Sequence, residues 1–298
     1  MRAFTLDDYL VPLPPGHRFP MEKYGLVLEA CLHEGIFEAD RLGPAPLATD
    51  ELLLRAHTPA YVQAATTGTL TAPEIRRLGF PWTPALITRC RASVGGTLAA
   101  AEAALVDGVA ANLAGGTHHA KAGEGEGFCV FNDVACAALD LLARGVVRRV
   151  AVVDLDVHQG NGTAAILGGH PAVFTLSLHG EKNFPFHKPP STLDVGLPDG
   201  CDDATYLRAL DKALPKVLAF EPELVFYIAG ADPLKGDSLG RLSLSLQGLA
   251  ERDRRVMRAC RAAGAKVALS MGGGYYKPIH PTVAAHVGTF RVAREVWV

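Results

Sequence analysis

Four short apolar runs rich in β-branched residues recur in the second half of the chain: Val150–Leu155, Val173–Leu178, Leu224–Ile228 and Lys266–Met271. None alternates strictly between apolar and polar positions, so each predicts a strand buried on both faces. Between them, apolar residues recur at three- and four-residue spacing and predict helices over Phe131–Ala143, Ala204–Ala219 and Leu246–Ala263. Such strands alternating with helices imply an α/β fold, a central parallel sheet flanked by helices on both faces. Upstream, Met21–Phe37 predicts a helix that stops near Gly35. Thr83–Leu105 predicts a long Ala- and Leu-rich helix interrupted at Gly95-Gly96, either by a kink or by the close approach of another backbone. Residues 1–20, proline-rich from Val11 to Pro20, read as an irregular arm. No linker or shift in composition divides the chain, so a single domain over residues 1–298 is expected.

Composition narrows the function classes. Hydrophobic residues make up 49% and charged residues 20%, the balance of a globular chain. The 29 basic and 31 acidic residues leave a net charge of −2, which argues against coating nucleic acid or an anionic membrane. No apolar stretch reaches the roughly 18–20 residues that span a bilayer. The opening MRAFTLDDYLVPLPPG has acids and prolines where a secretory leader needs a basic end and an apolar run, so a cytoplasmic location is expected. Six cysteines, at 31, 90, 129, 136, 201 and 260, form no CxxC pair and read as reduced, mostly buried thiols. Arg252, Arg254, Arg255, Arg258 and Arg261 read as one solvated helix face.

The chemistry gathers at strand ends, where open α/β sheets bind ligands. Asp154, Asp156 and His158 occupy alternate positions as the strand from Val150 leaves the sheet, so all three point one way. Two carboxylates and an imidazole converging there are costly unless a cation lies between them. Oxygen and imidazole donors suit zinc, or iron(II) or cobalt(II) by the same logic. A helix cap with a structural ion pair is the plainer alternative. The strand from Leu224 runs into Gly230 and Asp232, which supplies a candidate third ligand and leaves a position open for water. Gly115-Gly116-Thr117-His118-His119 places two histidines in a loop flexible enough to turn both into one cleft, and histidine exchanges protons near neutral pH. Gly272-Gly273-Gly274-Tyr275 follows another strand and presents a phenol able to donate to an oxyanion.

Taken in order, these motifs resemble the histone deacetylase superfamily of zinc amidohydrolases, from about residue 17 to the C-terminus. The phrases HRFPMEKYG, AGADPLKGDSLGRLSLS and GGGYYK are most similar to class IV members and their bacterial relatives. The resemblance implies the arginase/deacetylase-like fold, with Asp156, His158 and Asp232 as zinc ligands. It implies His119 as general base and then acid toward the leaving amine, His118 as an electrostatic partner with Asp154 behind it, and Tyr275 as the residue polarising the amide carbonyl. It also implies Gly127, Phe128 and Phe184 as walls of an acyl-lysine tunnel, Gly273 beside the substrate, and Leu239 at the rim. A structural potassium ion held by Asp154, Asp156, His158, Ser177 and Leu178 belongs to the same pattern.

The sequence departs from that pattern in three places. Asn161 stands where class I members carry an aspartate partnering the histidine pair, and an amide supplies no charge, so His119 is expected to be less basic. Leu239 stands where polyamine-selective relatives place a glutamate gatekeeper, which favours acyl-lysine, long chains included, over a cationic polyamine. The class I acid that grips substrate backbone has no clear counterpart. The expected function is therefore removal of acetyl or longer acyl groups from lysine in a protein or peptide. Deacetylation of a small acetylated amine and a non-catalytic acyl-lysine binder are the alternatives. A two-manganese arginase-like site is disfavoured, because Gly160 and Gly230 stand where its second metal needs carboxylates.

Overall fold

Each of the four apolar runs forms a strand, and four further strands complete an eight-stranded sheet in the computed structural model, which describes residues 1–298. In chain order the elements begin β1 (Arg2–Thr5), α1 (Lys23–His33), β2 (Leu42–Pro44), α2 (Asp50–Leu53), α3 (Pro59–Thr67), α4 (Ala72–Leu78), α5 (Pro84–Asp107), β3 (Val109–Asn112) and α6 (Asp133–Ala143). They continue β4 (Val150–Asp154), α7 (Asn161–Leu167), β5 (Val173–Gly180), β6 (Leu193–Leu197), α8 (Asp203–Leu218), β7 (Leu224–Ile228), α9 (Leu246–Ala262), β8 (Lys266–Ser270) and α10 (His280–Trp297).

The sheet order is β2-β1-β3-β8-β7-β4-β5-β6, and every neighbouring pair is parallel. Successive residues of one strand feed different cores. Ala151 and Val153 of β4 join Val27 of α1, Leu210 of α8, Val256 of α9 and Phe290 of α10. Val150 and Val152 join Leu53 of α2, Val62 of α3, Val94 of α5 and Val134 of α6 on the other face. This double burial explains why the strands read as unbroken apolar runs. The chain leaves β4 toward β5 on one side, whereas the adjacent β7 leads to β8 on the other. Connections that diverge in this way open a crevice at the strands' carboxyl ends.

The structure corrects three expectations. The amino-terminal arm is not irregular throughout residues 1–20: Arg2–Thr5 is a sheet strand between β2 and β3. The long helix α5 is not interrupted at Gly95-Gly96. It runs unbroken, and the glycines serve close approach, since a Cβ on Gly95 would lie 1.9 Å from the Pro46 carbonyl oxygen. Finally, Arg252 is not on a solvated face but 1% exposed. Its guanidinium pairs with Asp253 at 2.8 Å and donates to the carbonyls of Leu155 at 3.2 Å and Gly230 at 2.7 Å. It thus ties together the ends of β4 and β7, next to the candidate ligands Asp156 and Asp232.

Candidate active site

Four adjacent strands, β3, β8, β7 and β4, deliver their carboxyl-terminal loops to one crevice, and those loops carry the candidate residues. Asp156 and His158 follow β4, and Asp232 follows β7. One donor atom from each lies within 4.8 Å of the others, and all three residues are buried. His158 Nδ1 is 3.0 Å from Asp156 Oδ1 and 3.2 Å from Asp232 Oδ2. The remaining oxygens are occupied: Asp156 Oδ2 accepts from the Gly273 amide at 2.7 Å, and Asp232 Oδ1 from the Val157 amide at 2.9 Å. Asp232 Oδ2 is buried without a hydrogen-bond donor. Burial and the Asp156 charge push Asp232 up to about 7. An orphaned carboxylate oxygen facing an imidazole and a second acid is a donor set that fits a divalent cation. Gly273 is required beside it, because a Cβ there would lie 2.0 Å from Asp232 Oδ2.

The loop after β3 turns both histidines into this crevice, with ring centroids 4.2 Å apart. Gly115 and Gly116 take φ of +76° and +75°, a conformation glycine adopts freely. The loop is then fixed by the buried Asp133 at the start of α6. It accepts from the Gly116 amide at 2.9 Å, the Thr117 amide at 2.8 Å and the hydroxyls of Thr97 and Thr117 at 2.6 and 2.7 Å. His118 Nδ1 lies 2.6 Å from Asp154 Oδ2. Burial lowers its basicity, but the charges of Asp154 and Asp156 outweigh this and lift it to about 9. His119 Nδ1 lies 2.7 Å from Asn161 Oδ1. Burial, then the neighbouring imidazoles of His118 and His158, hold it well below the ordinary histidine value.

Tyr275 leaves the triple glycine with its ring 6.4 Å from that of His158. Burial and the carboxylates of Asp156 and Asp232 raise its pKa well above the ordinary phenol value, which keeps the phenol a donor. Asp237 fixes the loop by accepting from the amides of Tyr275 at 2.6 Å, Leu239 at 2.8 Å and Gly240 at 3.0 Å. Phe128 has φ of +65°, rare for a bulky residue, and packs 6.0 Å from Tyr275. The Phe184 ring packs edge-on to His119 at 5.0 Å, whereas Phe186 is 89% exposed, so Phe184 is the aromatic residue that faces the site. Gly127 makes room between these rings: a Cβ there would lie 2.7 Å from His119 Cδ2.

The histidines, Phe128 and Tyr275 line a cavity of about 70 Å³ together with Met21, Leu86 and Cys90. Leu239 is half-buried, and neither it nor Phe184, which packs against His119 and His158, belongs to the cavity lining. Ser177 and Leu178 are buried in β5, with Ser177 in register with Asp154. All six cysteines are free, and Cys90 alone is not fully buried.

Sequence reasoning missed four residues that shape the crevice: Lys23, Asp133, Asp237 and Arg252. Lys23 is fully buried, donates to the Gly272 carbonyl at 3.0 Å, and lies about equally far from the rings of Phe19, Tyr24 and Tyr275. Burial lowers it to about 8 against the pull of Asp232 and Asp156. On α1 it reads as one polar residue of an amphipathic helix, with no local signal. Asp237 had one, since an acid between Gly236 and Leu239 in a glycine-bearing turn is suited to binding backbone amides.

The profile of the Histone deacetylase domain matches residues 17–289. An uncharacterised protein of Picosynechococcus is 46% identical over 97% of both chains. Histone deacetylase 2 of Arabidopsis thaliana is 35% identical over 88% of this chain and 70% of its own. Among solved structures, a histone deacetylase homologue complexed with SAHA superposes with a TM-score of 0.81 at 28% identity, over 97% of this chain and 81% of that one. No helix is long and apolar enough to cross a membrane.

Proposed function

The chain belongs to the histone deacetylase superfamily, whose members hydrolyse acetyl-lysine amides, and from that premise we propose that it is a zinc-dependent lysine deacylase of the class IV type. The observation that carries the reading is the meeting of Asp156, His158 and Asp232 beside an aromatic-walled cavity, with two histidines and a phenol around them. Those three residues would hold the metal, zinc or in its place iron(II) or cobalt(II), which would supply Lewis acidity, lowering the pKa of water to about 7 and polarising the amide carbonyl.

The chain's own residues supply the rest. His119, neutral in its buried site, accepts the proton of the attacking water and returns it to the leaving lysine amine. His118, paired with Asp154, keeps positive charge near the developing anion. The Tyr275 phenol donates a hydrogen bond to that oxyanion. Phe128 and Phe184 hold the lysine stem and exclude water, with Gly127 and Gly273 leaving the space between walls and floor. Leu239 contributes an apolar rim. Asp154 and Ser177, side by side across β4 and β5, would with Asp156, His158 and Leu178 hold a structural potassium ion.

Acetyl is the acyl group favoured by the modest cavity. A longer acyl chain is the second reading, supported by the apolar side chains of Met21 and Leu86 in the cavity lining. The test is release of acid from acetyl-lysine, myristoyl-lysine and acetylpolyamine substrates by zinc-loaded protein. Tyr275→Phe is expected to cut turnover by on the order of a hundredfold or more at unchanged metal content. Preference for the polyamine would overturn the lysine assignment, and normal turnover in Tyr275→Phe would remove the phenol from the mechanism.

A further inference from the structure

The partner of His119 is an amide, and an amide has two ends. If Asn161 presents its oxygen, His119 carries its proton on Nδ1 and leaves Nε2 free to accept another. If the amide turns over and presents its nitrogen, Nδ1 must be the acceptor, the proton moves to Nε2, and the base is blocked. Nothing in the His119–Asn161 contact itself selects between these two states.

Glu126 makes the selection. Its Oε1 receives the Asn161 Nδ2 group, and an ionised carboxylate can only accept, so it faces the amide nitrogen and never the oxygen. The Asn161 oxygen is thereby turned to His119 Nδ1 at 2.7 Å. Glu126 is itself held, with Lys121 Nζ 3.4 Å from its Oε1 and 2.8 Å from Glu124 Oε1. The flanking glycines let this segment pack closely, Gly125 against Tyr61 and Gly127 against the histidine. A Cβ on Gly125 would lie 2.5 Å from Tyr61 Oη, and one on Gly127 2.7 Å from His119 Cδ2.

We propose that Glu126 is a positioning residue: by orienting the Asn161 amide it locks His119 in the tautomer able to act as a base. The proposal rests on the deacylase reading for its kinetic consequence, but not for its structural one. An aspartate at 161 has two equivalent oxygens and needs no orienting partner, yet it would face Glu126 as a like charge.

The decisive set is wild type, Glu126→Ala, Asn161→Asp and the double variant, each full-length and zinc-loaded, assayed on an acetyl-lysine peptide. Glu126→Ala is expected to lose roughly ten- to a hundredfold in kcat, a part of the ~10²–10⁴ that a general base contributes, because a fraction of His119 keeps the competent tautomer, with KM and metal content unchanged. Asn161→Asp alone also loses activity. In the Glu126→Ala background, however, Asn161→Asp restores kcat to within a few fold of wild type. Glu126→Ala retaining full kcat, or a double variant worse than Glu126→Ala, overturns the proposal. A second readout needs no turnover. ¹⁵N imidazole spectra are expected to show His119 protonated at Nδ1 in wild type, with Nε2–H growing in Glu126→Ala. Unchanged spectra overturn the proposal, and an inactive wild type with the expected spectra overturns the deacylase reading instead.

Discussion

His118 and His119 are neighbours in sequence, both nearly inaccessible, and each sets Nδ1 against an oxygen from β4 or the segment after it. Burial acts on both in the same direction, against the charged form. Their partners separate them. Asp154 brings a negative charge, and with Asp156 it lifts His118 to about 9. Asn161 brings only a dipole, and its hydrogen bond, together with the charge of Asp156, is too weak to offset burial and the imidazoles of His118 and His158, so His119 stays well below the ordinary value. One imidazole is built to hold a proton and the other to accept one. Paired titratable groups pushed in opposite directions are the means by which a site assigns separate acid and base roles at one pH.

The two histidines differ most in turnover. His119→Gln removes the acceptor and is expected to lower kcat by ~10²–10⁴. His118→Gln removes a charge that transfers no proton and is expected to cost less than His119→Gln, by the share of transition-state charge it offsets. Steady-state kinetics at matched metal content decide it, and equal losses would dissolve the division of roles. The next effect is on stability. Asp154→Asn strips the buried charge from beside His118 and is expected to cost about 3–5 kcal/mol. Asn161→Ala leaves the neutral His119 donor without its acceptor, worth about 1–3 kcal/mol, and takes one donor from the Glu126 carboxylate, which keeps Lys121 beside it. Denaturant unfolding of the metal-loaded proteins measures both, and indistinguishable losses would mean that Asp154 and Asn161 are equivalent supports.

How much of this was legible in the sequence follows from range. The four central strands and their helices were readable because burial on both sheet faces leaves a local, unbroken apolar signature. The strands β1, β2, β3 and β6 carried none. They span three to five residues, and β6 is an edge strand with exposed Asp194 between half-buried neighbours. Asp156, His158 and Asp232 were readable because strand periodicity fixes their direction, and the histidine pair because glycines mark the loop. Lys23, Asp133 and Arg252 were not, because their partners lie far away in the chain. Lys23 meets Gly272, Asp133 meets Gly116, and Arg252 meets Leu155. A buried arginine among surface arginines of one helix looks like its neighbours until the carbonyls it serves are in place. Glu126 was hidden for the same reason, since its partner belongs to α7.

His57 is another buried histidine, and its partners are both uncharged backbone groups. Its Nδ1 lies 3.0 Å from the Lys121 carbonyl oxygen, and its Nε2 accepts from the Asn132 amide at 2.9 Å. Burial lowers it to about 4, against a partial counter-effect from those backbone bonds. The sign follows from proton counting. Below its unfolded value of about 6.5 the unfolded chain binds a proton that the folded chain refuses. The stability contributed by neutral His57 is therefore present above about pH 6.5 and is lost as pH falls toward 4. Between pH 7 and pH 5 the loss amounts to about 2 kcal/mol. Denaturant unfolding of wild type and His57→Gln across that interval isolates it, because the carboxylates common to both cancel. The variant is expected to lose about 2 kcal/mol less than wild type on acidification. Parallel pH profiles would show that burial without a charged partner does not suffice to depress a histidine in this fold, and the account of His119 would then fail with it.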